Sequence, residues 1–201
     1  MTVFGEEALI LRIFVLGYLG VNCYEVAKKI ASELNSEAQK SLTTGKYCQE
    51  NLEISAEELA LAKDSPFEVL DMPSEIERLD GRSLLKICMG HGEHAIRNNE
   101  YEVLSKLINP NFDIGIAKAE LYPNNLVVSC GDGIVLDDQC YEMLLGQKRV
   151  VVTLPLEEMW NNAKDDKSIP YAYMQFGSDE ERFAQFMKNY ELRTHLYQGL
   201  Q

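Results

Sequence analysis

Leu126-Val-Val-Ser-Cys130-Gly-Asp-Gly133-Ile-Val-Leu-Asp137 is the stretch on which the fold turns. Two short runs of β-forming residues flank Gly131-Asp132-Gly133, and glycines at such a junction favour a tight turn, so the spacing predicts a hairpin. Working outward, Ile114 to Leu121 has strand composition, and Arg149-Val-Val-Val-Thr-Leu154 is apolar on both alternating faces, which predicts an interior strand. The fold class expected from these elements is α+β: a helical N-terminal half, a small mostly antiparallel sheet within about residues 112–154, and C-terminal helices packed on it. Residues 1–201 read as a single domain, with 1–82 as a helical subdomain inside it.

The helices are read from periodicity and caps. Residues 6–39 read as helical in two pieces divided near Gly17 to Asn22. The apolar run Ala8 to Val21, broken by Arg12, Gly17 and Gly20, is too short to span a bilayer and reads as a buried helix or strand. Asn22 is positioned to cap a helix whose Val26, Ile30 and Leu34 share one face. Ser55 with Glu58, Ser65 with Pro66 and Glu68, and Ser74 with Glu77 each place a side-chain oxygen at an N-cap and a carboxylate three residues on. Further on, Asn99 to Ile108, Asp138 to Leu145 and Leu156 to Ala163 read as helices. Ser178 with Glu181 opens a closing helix through about Tyr197, with Phe183, Phe186 and Tyr190 toward the core. Asn161 to Ile169 reads as a polar surface loop.

Charge is segregated. Nine carboxylates between Glu53 and Asp80 face only Lys63 and Arg78, a net of seven negative charges out of the chain's formal −13. Such a surface repels phosphate backbones and anionic lipid and attracts basic partners, which argues against nucleic-acid and membrane binding. Five dispersed cysteines without a CxxC pair favour reduced thiols and a cytoplasmic setting, although export without a cleaved signal would look the same.

Cys23, at the start of a helix after Gly20-Val-Asn22, occupies a position where the helix dipole lowers a thiol pKa. Papain-like and transglutaminase-like hydrolases place a nucleophile in a similar way. That resemblance implies His94 as base, out of His91, His94 and His195, and Asp137 as the orienting residue, out of Asp132, Asp137 and Asn125. The histidine expected upstream is missing from Tyr122-Pro-Asn-Asn-Leu-Val, and the competing reading makes Cys23 a small buried hydrophobe. Cys88, His91 and His94 form the densest group of metal-capable side chains. His91-Gly-Glu93 resembles the His-x-Glu of zinc nucleoside deaminases, but the paired thiolates of that family are missing, so no metal and no cofactor is expected. Asn109-Pro-Asn-Phe112 through Ile116 is similar over about eight residues to a stretch of secreted CAP-superfamily domains. Gly17-x-x-Gly20 and Gly131-x-Gly133 lack the full glycine pattern of a dinucleotide or Walker loop, and no Gly-Lys-Ser/Thr follows either.

The reading that results is an acidic non-enzymatic interaction protein that binds and blocks a basic protein partner, of inhibitor or immunity type. Its contact residues would be Glu57, Glu58, Asp64, Glu68, Asp71 and Glu75, joined by Asp165, Asp166, Trp160, Tyr171 and Tyr173 around the polar loop. The alternative is a cysteine hydrolase or deamidase built on Cys23, His94 and Asp137. The oligomeric state is left open.

Overall fold

The computed structural model describes residues 10–40, 47–49, 52–61, 65–109 and 122–201. Its centre is strand β1, Leu11–Gly17, in which all seven residues are buried. Leu11, Ile13 and Val15 pack with Ala27, Ile30 and Leu34 of helix α1, Cys23–Lys40, while Phe14 and Leu16 point into a larger cluster on the opposite face. A strand covered on both faces shows a continuous apolar run and no period of two. Residues 11–17 are therefore strand, and the helical reading of 6–39 holds only for the part after Asn22.

The short strands β2, Tyr47–Gln49, and β3, Leu52–Ile54, make an antiparallel pair; β4 is Glu68–Asp71, β5 is Asn125–Ser129 and β6 is Lys148–Val152. The main sheet has the order β4-β5-β1-β6, and every neighbouring pair in it is parallel. This overturns the mostly antiparallel α+β expectation: the molecule is α/β, with helices on both faces of a parallel sheet.

The hairpin fails at its second arm. After Ser129 the chain does not turn back; Ile134–Leu136 wind into a 3-10 turn with Ile134 and Val135 buried, and Asp137 caps the next helix through the Cys140 amide. Strand β6 also departs from expectation. It begins at Lys148 and, among the described residues, lies at the edge of the main sheet beside β1, with Val150 its one buried residue. Arg149 ties that edge to the carbonyls of Leu144, Leu145 and Leu200, and Lys148 reaches Glu53 O and the Glu58 carboxylate.

Local capping signals fare better. The Ser55–Glu58 box opens α2, Ala56–Leu61, and the Ser178–Glu181 box opens the last helix. Ser65 starts no helix, because Glu68 opens β4. Helix α3, Met72–Asp80, begins before Ser74 under an Asp71 cap. The remaining helices are α4, Leu84–His91, α5, Glu93–Ile108, α6, Asp138–Leu145, α7, Leu156–Ala163, α8, Ala172–Gln175, and α9, Asp179–Gly199. The strand expected at Ile114 to Leu121 and the CAP-like stretch from residue 110 lie outside the described residues. No described helix is long and apolar enough to cross a membrane.

Candidate functional site

The carboxyl ends of β1, β4 and β5 open together into a cavity of about 600 Å³, bounded by the loop after Gly17, by Asp71, by Ser129 to Asp132 and by Ile169 to Tyr171. In open parallel sheets this crevice beyond the strand ends is where ligands bind, because loops from several strands converge there.

A network of buried charge lies at its floor. Helix α5 carries Arg97 and Glu100 one turn apart, joined by a 2.5 Å ion pair. Arg97 also donates to the Tyr171 hydroxyl at 3.1 Å, and Tyr171 donates to Asp132 Oδ1 at 2.8 Å. From α9, Arg193 pairs with Asp132 Oδ2, and the Tyr197 hydroxyl lies 2.7 Å from both Gly17 O and Asp132 O. The segment 131–133 follows from this packing: a Cβ on Gly131 would collide with Glu100, and one on Gly133 with the Arg97 guanidinium. Burial pushes the Glu100 carboxyl up, to about 7, against the downward pull of Arg97. Burial opposes the charge on Arg97 and Arg193 too, but the carboxylates and phenols around them outweigh it and hold both guanidiniums above their ordinary value. Tyr171 and Tyr197 are raised by burial and by Asp132, so both stay protonated donors. Despite this network, Arg193 Nε and Nη2 and Arg97 Nε are buried with no hydrogen-bond partner among the described residues.

The opposite wall is the loop between β1 and α1. A strand, a glycine loop and a helix in this order form the frame of a phosphate-binding loop, G-x-x-x-x-G-K-[ST]. Its amides and lysine cradle phosphates, and its hydroxyl holds Mg²⁺. In that register Gly17 keeps the first glycine, whereas Asn22, Cys23 and Tyr24 stand at the second glycine, the lysine and the hydroxyl residue. Cys23 supplies no cation: it is buried, and burial with Asp132 and Asp71 nearby pushes its thiol up to about 12. The Tyr24 ring is exposed under Lys28. Amides that a phosphate would need are already used, Val21 N–H on Tyr18 O, Cys23 N–H on Val21 O and Glu25 N–H on Asn22 Oδ1. The loop is also pressed from outside. Gly20, at φ +90°, leaves no room for a Cβ against the Met159 carbonyl, and Asn162 donates to Gly20 O at 3.0 Å. Asp71, Asp132 and Asp166 line the cavity with the partly protonated Glu100, against Arg97 as the one cation among its described lining residues, a field that opposes a triphosphate. The residues present do not fit a Mg²⁺-nucleotide, and no group of three His, Cys, Asp or Glu among the described residues is arranged to hold a metal.

The residues singled out from sequence are dispersed by the fold. Cys23 lines the cavity, but no histidine does; His94 sits at the start of α5 beside Gly92, and Asp137 caps α6, so the proposed nucleophile, base and orienter do not meet. Cys88 lies on α4 with its thiol raised by burial, and His91 Nε2 is 2.9 Å from Arg82 Nη1, which leaves no metal cluster with His94. Of the acidic set, Glu58 is spent on Lys148 and its own cap, Glu75 is buried against Arg78 and Tyr122, and Glu57 and Glu68 are exposed. Asp71 and Asp166 line the cavity, Asp165 is exposed, and Asp64 lies outside the described residues. Trp160 packs on Phe183 and Phe186, and Tyr173 stacks on buried Tyr171.

Arg97, Glu100 and Arg193 were missed. The available signal was a charged pair on α5 in line with Leu104 and Leu107, on the side that the helix buries.

The sequence profile described as "Shikimate kinase" matches residues 59–201, more than half of the chain and all of the floor. A shikimate kinase of Corynebacterium glutamicum is 29% identical over 138 residues, 69% of this chain and 70% of that protein. A bifunctional shikimate kinase/3-dehydroquinate synthase of Thermotoga maritima is 33% identical over 88 residues, 44% of this chain and 15% of that protein. The first matched relatives are thus spanned over well under two thirds of their length; for the shikimate kinase of Chlorobaculum tepidum the share is 37%. Among solved structures, the shikimate kinase of Acinetobacter baumannii in complex with shikimate superposes with a TM-score of 0.57 at 20% identity, covering 96% of this chain and 81% of that one. That of Bacteroides thetaiotaomicron gives 0.62 at 18% identity, covering 96% and 83%. These likenesses share the parallel-sheet fold. Together with the profile match they overturn the reading of an inhibitor or immunity protein whose main role is to bind a basic protein, and that of a cysteine hydrolase.

Proposed function

The chain belongs to the shikimate kinase family, and from that premise we propose that it binds a shikimate-type ligand, a hydroxylated ring bearing a carboxylate, at the Arg97 and Arg193 floor, without transferring phosphate from ATP. The observation that carries this reading is the contrast between the two walls of one cavity. The floor holds buried guanidinium N–H groups with no hydrogen-bond partner among the described residues, a natural match for a carboxylate and ring hydroxyls, while the facing loop has a neutral thiol where a phosphate-binding loop has lysine. The relative solved with shikimate shares the fold and supports the ligand class. Asp71, at the end of β4, is the carboxylate placed to accept from a ring hydroxyl. A cytoplasmic location is part of this reading; it accords with free thiols at Cys23, Cys88, Cys130 and Cys140.

A second reading, phosphorylation of that ligand, is favoured by family membership and by the retained strand-loop-helix frame. Calorimetric titration of the full chain with shikimate and with Mg²⁺·ATP, followed by an ADP-release assay with both, separates the two. Saturable heat with shikimate, none with Mg²⁺·ATP and no ADP above background are expected. Shikimate-dependent ADP release would replace the first reading with the second, and no shikimate binding would end both.

A further inference from the structure

Tyr171 stands in the cavity wall, only 1% exposed, and its hydroxyl makes two hydrogen bonds of opposite sense. It accepts from Arg97 Nη2 at 3.1 Å and donates its own proton to Asp132 Oδ1 at 2.8 Å. Arg97 lines the same cavity. Glu100 holds its Nη1 at 2.5 Å, and its Nε has no partner among the described residues, so N–H donors of the guanidinium remain for a ligand. Glu100 alone would let the group pivot about one nitrogen. A second contact on the other terminal nitrogen fixes the plane of the fork, and recognition of a carboxylate depends on that plane. The ring that supplies this contact is itself held: it stacks on Tyr173 with centroids 5.4 Å apart, and the Arg193 guanidinium lies 5.4 Å from its centre.

We propose that Tyr171 is a positioning residue: its hydroxyl, set between Arg97 and Asp132, orients the one cation among the described lining residues without neutralising it, so that the pocket favours the carboxylate form of a hydroxylated ring over its uncharged ester. The inference rests on the reading that the floor binds such a ring. A carboxylate in place of the phenol would hold Arg97 as firmly but cancel its charge. The phenol gives its proton to Asp132 and stays neutral, since burial and the nearby Asp132 raise it well above its ordinary value. Asp132 is in turn balanced by Arg193. The hydroxyl is also a spacer. Arg97 Nη2 and Asp132 Oδ1 are bonded to one oxygen, and without it these opposite charges would be drawn toward each other and away from an arriving ligand.

Dissociation constants for shikimate and for its methyl ester, measured by calorimetry on the full chain as wild type and as Tyr171→Phe, test it. The ester removes only the ligand's charge, and Phe keeps the ring while removing only the hydroxyl. The wild type is expected to bind the acid about tenfold tighter than the ester. Tyr171→Phe is expected to weaken the acid about tenfold, the size of one hydrogen bond to a charged group, while moving the ester less than about threefold. Loss of structure would weaken both compounds alike. If Tyr171→Phe folds poorly, replacing Tyr171 with 3-fluorotyrosine keeps the hydroxyl but makes its oxygen a weaker acceptor, and the preference for the acid should fall about two- to fivefold. A wild type that binds acid and ester equally, or a folded variant that leaves their ratio unmoved, would reduce Tyr171 to a space-filling role, although the binding reading survives. If the wild type binds neither compound, the binding reading falls and takes the inference with it.

Discussion

Glu100 is wholly enclosed, and its proton is a property of the fold. Its folded pKa, about 7, is above the ordinary carboxyl value of 4.5, so the folded chain holds a proton that the unfolded chain releases. The contribution to stability is complete below pH 4.5 and is lost as pH rises through about 7. Urea unfolding of wild type and Glu100→Gln at pH 4.5 and 7.5 should show the wild type losing on the order of 3 kcal/mol more than the variant over that interval, since one pKa unit is worth about 1.4 kcal/mol. A parallel pH response in the two proteins would show that Arg97 keeps Glu100 ionised throughout. Asp132, Gly131 and Gly133 belong to the same scale: each is fixed by what lies within contact distance of its backbone, not by the turn that their composition suggests.

At the scale of elements, caps are autonomous. The Ser178 side chain accepts from Glu181 N–H, and the Glu181 carboxylate accepts from Ser178 N–H. Ser178→Ala should cost about 1 kcal/mol, read as a fall of a few degrees in melting temperature with the floor unperturbed. An unchanged melting temperature would mean that packing of Phe186 and Tyr197 alone sets the start of α9. Because such signals involve neighbours in sequence, helices α1, α2, α6, α7 and α9 were legible from the chain alone. Strand direction was not. Gly131-Asp132-Gly133 has the composition of a hairpin turn, and only the distant Arg97 and Glu100 explain its glycines. Strand β1 hid as an apolar run because both of its faces are covered. The loop after it was hidden by substitution: with Asn22, Cys23 and Tyr24 at the decisive positions, only the order of strand, glycine and capped helix remained as a sign, and that order required β1 to be recognised first.

For the whole molecule, closure depends on contacts between chain-distant parts. The Tyr197 hydroxyl reaches Gly17 O across 180 positions and Asp132 O across 65. Tyr197→Phe leaves the two carbonyls to share no donor in a buried place, so a loss of about 1–3 kcal/mol is expected in denaturant unfolding, with weaker shikimate binding as 131–133 loosens. If stability is unchanged, other contacts hold the last helix against the first strand. The central position of β1 also has a biosynthetic consequence. It emerges from the ribosome well before the strands that flank it; Arg12 waits 112 positions for its partner Asn124. At about 5–20 residues per second that interval is roughly 6–20 s, during which a seven-residue apolar strand has neither neighbour, and long-range parallel pairing is slow to form even once both are present. The nascent chain therefore passes through a period of exposure in which a holding chaperone, or early docking of α1 on β1, decides how much of it reaches the native sheet.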